Sequence, residues 1–185
     1  MLTDRDYGFC IRGSSMKILT KLAGLLLMMG CGLAQAEWVR FASTTDGKVY
    51  AYDPARVASL PDGTVKVWYQ LIQSVQSKTA EFEDAAKDAE MLNMKDVASM
   101  LRSKTWSYRT FSHTMYREIF DCRQHTKKFE ESIDYSSDGK VLDRTNMDTI
   151  IQEGIAKGLF TGNEKRFSEI VPGSAVEMLM TRVCK

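Results

Sequence analysis

The feature that most limits how this chain can fold is a basic stretch followed by an uncharged segment. Together the two predict export and removal of the N-terminal part of the chain. Residues 16–21 carry two lysines, and residues 22–34 carry no charged side chain. This order is that of a secretory signal peptide. The uncharged segment is shorter than the roughly 20 apolar residues that a membrane span needs. The small side chains that follow predict a cleavage site formed by Ala34, Ala36 and Glu37.

Cleavage at this site divides the chain into an upstream extension with its signal peptide, residues 1–36, and one folded domain, residues 37–185. Asp4 and Asp6 dilute the positive charge expected ahead of a signal peptide. We therefore expect translation to begin at Met16. The processed protein is expected in the periplasm or at the outer cell surface of a Gram-negative-type envelope, with no transmembrane span.

A competing interpretation makes Cys31 the lipid-bearing first residue of the processed protein. Gly30 suits this interpretation. Met28, however, stands three positions before the cysteine, where a lipidation motif usually has leucine, and Met29 stands where it usually has a small residue. We favour simple cleavage. An intact-mass measurement distinguishes the two, because lipidation would add the mass of a lipid and of residues 31–36.

Two cysteines, Cys122 and Cys184, remain once residues 1–36 are removed. Disulfides form and persist in oxidising compartments outside the cytosol. The pair therefore predicts one disulfide. It would close a loop of about 60 residues and stabilise the domain by about 4 kcal/mol in the chain-entropy description.

The same cysteines and two histidines, His113 and His125, are also the ligand inventory of a tetrahedral zinc site. Cys122 and His125 have ligand-like spacing. His113, by contrast, would lie on the opposite face of a regular strand from Cys122. The oxidising compartment favours the disulfide. We expect no metal and no other cofactor, and thiol titration after denaturation separates the two interpretations.

Alternating apolar and polar residues predict an antiparallel sheet of about six strands. Asp46-Gly47 stands between two alternating runs, which is a strong signal for a hairpin turn. Seven segments are candidates for these strands: residues 38–41, 48–52, 64–71, 106–111, 113–122, 127–135 and 140–142.

Helical spacing of apolar residues predicts an insertion near residues 79–103, either a helical hairpin or one kinked helix. Its second part has Met100 on the expected apolar stripe. A short helix is predicted over residues 148–157. Ser174, with Glu177 three residues later, predicts the start of a C-terminal helix. The fold class is therefore α+β: an antiparallel sheet, a helical insertion, and a C-terminal helix docked by the disulfide.

Strict alternation along the first strands places four aromatic residues on one face of the sheet, opposite Val65 and Val67. They are Trp38, Tyr50, Tyr52 and Trp68. Two interpretations stay open: helices cover both faces of the sheet, or an exposed aromatic face binds a partner or a second copy of the chain. Trp fluorescence quenching in a verified monomer separates them.

A series of short motifs extends over nearly the whole domain. The motifs are Trp38, Tyr50-Ala51-Tyr52-Asp53, Val65-Lys66-Val67-Trp68, Phe120-Asp121-Cys122, Tyr135 with Asp138-Gly139-Lys140, Pro172-Gly173-Ser174 and Val183-Cys184. In this order they resemble the surface-adhesin protein E-like domain family, here residues 37–185. The resemblance implies an antiparallel sheet with a disulfide-tied C-terminal helix, a cell-envelope location and a homodimer. For the adhesin that names the family, it also implies binding to extracellular-matrix proteins and plasminogen.

Charge and motifs narrow the function further. The formal net charge of +1 argues against a nucleic-acid partner. Recognisable catalytic motifs are absent from the sequence, and we expect no enzyme activity. The sequence therefore favours an exported, adhesin-like binding module for a protein partner. The alternative is a periplasmic structural or assembly protein without a host ligand.

Overall fold

The computed structural model describes residues 37–161 and 167–185. The expectations for residues 1–36, namely the signal peptide, the start at Met16, the lipidation of Cys31 and the cleavage-site residues Ala34 and Ala36, lie outside the described residues. Among the described residues, no helix is both long and apolar enough to cross a membrane.

The described residues form an α+β fold around one antiparallel sheet. Six strands follow each other in the order β1-β2-β4-β5-β6-β7, while the short strands β3 and β8 pair with β4 and β6. The strands are β1 Val39–Ser43, β2 Val49–Tyr52, β3 Ala58–Ser59, β4 Val65–Ile72, β5 Phe111–Asp121, β6 Thr126–Ser136, β7 Val141–Asn146 and β8 Ser168–Glu169. The predicted antiparallel sheet is therefore confirmed.

Four α-helices accompany this sheet in the described residues. They are α1 Val75–Met91, α2 Lys95–Ser107, α3 Met147–Ala156 and α4 Ala175–Val183. The predicted insertion is a helical hairpin, α1 and α2, and it extends beyond residues 79–103 at both ends. Asn93 turns the chain between the helices with a φ of 59°, and the Met94 amide donates to the Ala89 carbonyl.

Small side chains form the seam between α1 and α2. Ala86, Ala89 and Ala98 are buried there, with Val97 and Leu101 packed against them. Alanine lets two helix backbones approach closely and has the highest helix propensity. Met100 lies outside this seam with about half of its surface exposed. Its predicted place on the inward stripe of α2 is therefore wrong.

The strand predicted over residues 106–111 is also wrong. Trp106 and Ser107 complete α2, Tyr108–Thr110 form a single 3-10 turn, and β5 begins at Phe111. The ring of Tyr108 packs edge-on against Phe82 of α1, with centroids 4.7 Å apart. Aromatic and β-branched residues favour strands locally, but this packing against α1 outweighs that preference.

The C-terminal helix α4 begins as predicted. The Ser174 hydroxyl accepts the Glu177 amide, and the Glu177 carboxylate accepts the Gly173 amide. Leu179 and Met180 are buried against the strand residues of the core. The predicted disulfide between Cys122 and Cys184 is confirmed and joins the end of β5 to the end of α4.

Candidate functional site

The sheet has two chemically different faces, which we name after what lies on them. Residues Val65, Val67 and Tyr69 of β4 pack with Leu179 of α4, and we call their face the α4 face. The intervening residues of β4, Lys66 and Trp68, are half-buried on the opposite side, the Trp68 face. Successive residues of a strand point alternately to these two faces.

The predicted common aromatic face is wrong. Tyr52 lies opposite Tyr69 and Tyr50 lies opposite Leu71 in the ladder between β2 and β4. Directly opposed residues of an antiparallel pair share a face, so both tyrosines lie on the α4 face while Trp68 lies on the other. Trp38 precedes β1 and is half-buried. Alternation relates residues within one strand, but the pairing register decides which residues of two strands share a face.

Tyr50 and Tyr52 belong to an aromatic cluster of the core. Phe41 lies at its centre, with ring centroids 6.0 Å from Tyr50 and 6.1 Å from Tyr52. Tyr69 contacts Phe41 edge-on and stacks on Tyr116 with centroids 5.1 Å apart. Burial raises the pKa of Tyr69 well above its usual range and also raises that of Tyr116. These phenols stay neutral, as expected for packing residues.

A buried carboxyl lies beside this cluster on the α4 face. Glu118 pairs with Val67 across β4 and β5 and is 2% exposed. Its Oε1 lies 2.6 Å from the Lys127 ammonium. Burial raises the pKa of Glu118 above its ordinary value of 4.5, and the Lys127 charge opposes part of that rise. The charged form of Glu118 is thus disfavoured by the fold.

Glu118→Gln is expected to change the pH dependence of stability. A pKa that is higher in the folded state than in the unfolded state stabilises the fold fully at pH values below the unfolded-state pKa. This stabilisation is lost as the pH rises through the folded-state pKa. Glutamine does not titrate, so the variant should gain stability relative to wild type between pH 4 and pH 8. Urea unfolding across that range measures the gap. A gap that stays constant with pH would contradict the assignment.

The α1–α2 hairpin exposes several large apolar side chains, which we call the hairpin surface together with Arg109. Met91, Leu92 and Met94 lie at the turn between the helices, Met100 lies in the middle of α2, and Trp106 and Arg109 lie at and beyond its end. Trp106 is 68% exposed. The Arg109 guanidinium carbon lies 3.2 Å from the centroid of the Trp106 ring. Tryptophan and arginine are both enriched among the residues that dominate binding at protein interfaces, and a guanidinium over an indole is a favourable cation–π contact.

Charge on the second half of α2 is one-sided. Residues 97–110 contain Arg102, Lys104 and Arg109 but no acidic residue. Arg102 pairs with Glu90 of α1, and Lys104 pairs with Asp143 of β7. Arg109 is exposed and stacks on Trp106. The part of the hairpin surface around Trp106 is therefore apolar and basic.

Sequence reasoning missed the hairpin surface because it placed Trp106 in a strand. A helical signal was present in the chain. Ala98, Leu101, Thr105 and Tyr108 recur at helical spacing and are all buried or half-buried. Extending the helical spacing of apolar residues in the second predicted helix to Tyr108 would have placed Trp106 on the outer side of that helix.

The cysteines and histidines weighed for a zinc site lie in different surroundings. The disulfide occupies both sulfur atoms. His113 stacks on Tyr135 with centroids 5.1 Å apart, and burial lowers its pKa. His125 lies in the turn between β5 and β6. Within residues 37–161 and 167–185, no group of three or more histidine, cysteine or acidic side chains is arranged to hold a metal ion.

Comparison with known proteins adds no relative to this description. No family model, curated protein or solved structure matches the chain.

Proposed function

We propose that this chain is an exported, adhesin-like binding module that recognises a protein partner through the hairpin surface. The single observation that carries the proposal is the exposed Trp106 with Arg109 stacked on its ring. Tryptophan, methionine and arginine are the residue types that protein interfaces favour over the remaining surface. The motifs that resemble the surface-adhesin protein E-like family support an extracellular-matrix protein or plasminogen as the partner.

The chemistry of the hairpin surface indicates what the partner presents. Trp106 offers apolar area, and Arg109 offers guanidinium donors. A partner segment that combines apolar side chains with Asp or Glu complements both features, because arginine binds carboxylates with two parallel hydrogen bonds. A partner outside the cytosol is consistent with the Cys122–Cys184 disulfide, because disulfides persist in extracellular and periplasmic compartments.

Trp106→Ala is expected to weaken partner binding at least tenfold, as truncation of a central interface tryptophan typically does. The processed protein, purified in its oxidised form from cells that express the full chain, is titrated against immobilised matrix proteins and plasminogen. Trp68→Ala is the matched control, because it removes an indole from the sheet and leaves the hairpin surface intact. Equal unfolding curves for wild type and Trp106→Ala verify that the fold is retained.

Arg109→Gln should weaken binding and reduce its salt dependence, because one charged contact is removed. The proposal fails if no matrix protein binds, or if Trp106→Ala binds as tightly as wild type. Protease treatment of intact cells tests the location: a surface protein is cut, whereas a periplasmic structural protein is protected.

A further inference from the structure

A shallow pocket of about 410 Å³ lies beside Trp68, and its lining contains no residue of the hairpin surface. Four of its lining residues are apolar and two are cationic. They are Ala55, Val57, Ala58 and Trp68, together with Arg56 and Lys66. Small-molecule sites in proteins have this size and composition, with a largely apolar lining and a few polar groups that fix orientation. Anionic residues are absent from this lining.

The two cations of the pocket come from different segments. Arg56 lies in the 3-10 turn Pro54–Arg56, and Lys66 lies in β4. Asp53 is buried and holds the Arg56 Nε at 3.2 Å, while its other oxygen accepts the Ala55 amide. This pairing fixes the stem of Arg56 and leaves the side chain about half exposed. The guanidinium has five N–H donors, so one carboxylate contact does not exhaust it.

Positive charge exceeds negative charge behind the pocket. The Glu130 Oε2 atom lies 3.1 Å from Lys66 Nζ and 3.0 Å from Arg117 Nε, and Glu130 Oε1 lies 3.9 Å from Lys128. Three cations therefore share the carboxylate of Glu130. Arg117 also contacts the carboxylate of Glu131, which is itself shared with Arg144. The protein's own carboxylates therefore compensate the positive charge of Lys66 only in part, and an anionic ligand could compensate the rest.

The Trp68 indole supplies the apolar wall of the site. Trp68 is half-buried, so part of its surface reaches solvent. Arg117, its partner across β4 and β5, has its guanidinium carbon 5.2 Å from the ring centroid. This contact holds the indole from the side of β5, whereas the pocket lies on the side of residues 55–58. An aromatic ligand can stack on such an indole in an offset geometry.

We propose that this pocket binds a small organic anion with a flat apolar ring. The ring contacts Trp68 and Val57, and the carboxylate faces Arg56 and Lys66. A neutral ring leaves the excess positive charge uncompensated, and an inorganic anion leaves the apolar lining in contact with water. Both features of the pocket are used only when one ligand carries both a ring and an anionic group.

Titration of the processed, oxidised protein with 1-naphthoate tests the proposal, and 1-naphthamide is the neutral control ligand. Calorimetry should show saturable binding of naphthoate and at least tenfold weaker binding of the amide, because charge-assisted hydrogen bonds are lost. Lys66→Gln and Arg56→Gln should each weaken naphthoate binding about tenfold. Trp68→Ala should abolish it, whereas Trp68→Phe, which keeps a ring, should retain most of it.

Three outcomes would overturn the proposal: naphthamide binds as tightly as naphthoate, inorganic phosphate displaces naphthoate at equal concentration, or Trp68→Ala binds as wild type does. Trp106→Ala is the matched control, since it removes an exposed indole elsewhere and should leave naphthoate binding unchanged. Because matrix-protein binding depends on Trp106 and naphthoate binding on Trp68, either proposal can fail without the other. Unfolding curves of every variant verify that the fold is intact.

Discussion

Cys184→Ser is expected to lower the free energy of unfolding by about 4 kcal/mol, which is the chain-entropy value for a loop of this length. The bridge joins residues 62 positions apart and holds the last turn of α4. That helix has only nine residues, which is too short for a stable helix in isolation. Without the disulfide, Leu179 and Met180 must hold α4 on the sheet by packing alone. Urea unfolding of oxidised wild type and variant measures the difference.

Cys122→Ser is the matched control, because replacing either cysteine removes the same disulfide. Both variants should unfold at the same urea concentration, and reduced wild type should join them. Hydrogen exchange should show faster exchange of the α4 amides in all three. If Cys184→Ser unfolds at the wild-type urea concentration, the disulfide does not hold the helix in place.

Local signals predicted the parts of the fold in which one or two residues decide the geometry. Asp46-Gly47 specified the first hairpin, where Gly47 has a φ of 83° that favours glycine. The capping residues Ser174 and Glu177 specified the start of α4. The two cysteines that remain after the predicted cleavage specified the disulfide. In each case the physical cause lies within a few residues or within the chemistry of one residue type.

The assignment of β2 and β4 side chains to sheet faces could not be predicted, because it depends on the pairing register between the two strands. In this ladder Tyr50 lies opposite Leu71 and Tyr52 lies opposite Tyr69. Alternation within each strand leaves the register open, and a shift of one residue would reverse the face of every side chain of a strand. Alternation read along the chain therefore grouped Tyr50 and Tyr52 with Trp68, although they lie on opposite faces.

The two candidate sites depend on contacts between distant segments, which explains why sequence reasoning found only one residue of them. Trp68 was predicted as a binding residue and does line a pocket. Arg56 reaches that pocket from a 3-10 turn, and Glu130 approaches Lys66 across β5 from a bulge in β6. Trp106 became an exposed residue because Tyr108 packs inward on Phe82. The contacts of Arg56 and Glu130 follow from tertiary packing and carry no local pattern, whereas the exposure of Trp106 could have been predicted from the helical spacing that ends at Tyr108.

Asp134→Ala is expected to cost about 3 kcal/mol of unfolding free energy, because it removes the acceptor at the base of the hairpin. The Asp134 carboxylate accepts hydrogen bonds from the hydroxyls of Tyr108 and Thr114, and it lies 3.4 Å from Lys78 Nζ. Lys78 is buried beneath the rings of Phe82, Tyr108 and Phe111, whose centroids lie 5.5–6.0 Å from its ammonium. Urea unfolding measures the loss.

Asp84→Ala is the matched control, because Asp84 pairs with Lys87 on the exposed side of α1 and its removal should leave the free energy of unfolding nearly unchanged. Lys78→Met separates the lost ion pair from lost packing. In that background the rings keep an apolar neighbour and the buried charge is gone, so Asp134→Ala should cost clearly less than it does in wild type. An equal cost of Asp134→Ala in both backgrounds would show that Asp134 stabilises the hairpin through the hydroxyls of Tyr108 and Thr114 and not through the ion pair with Lys78.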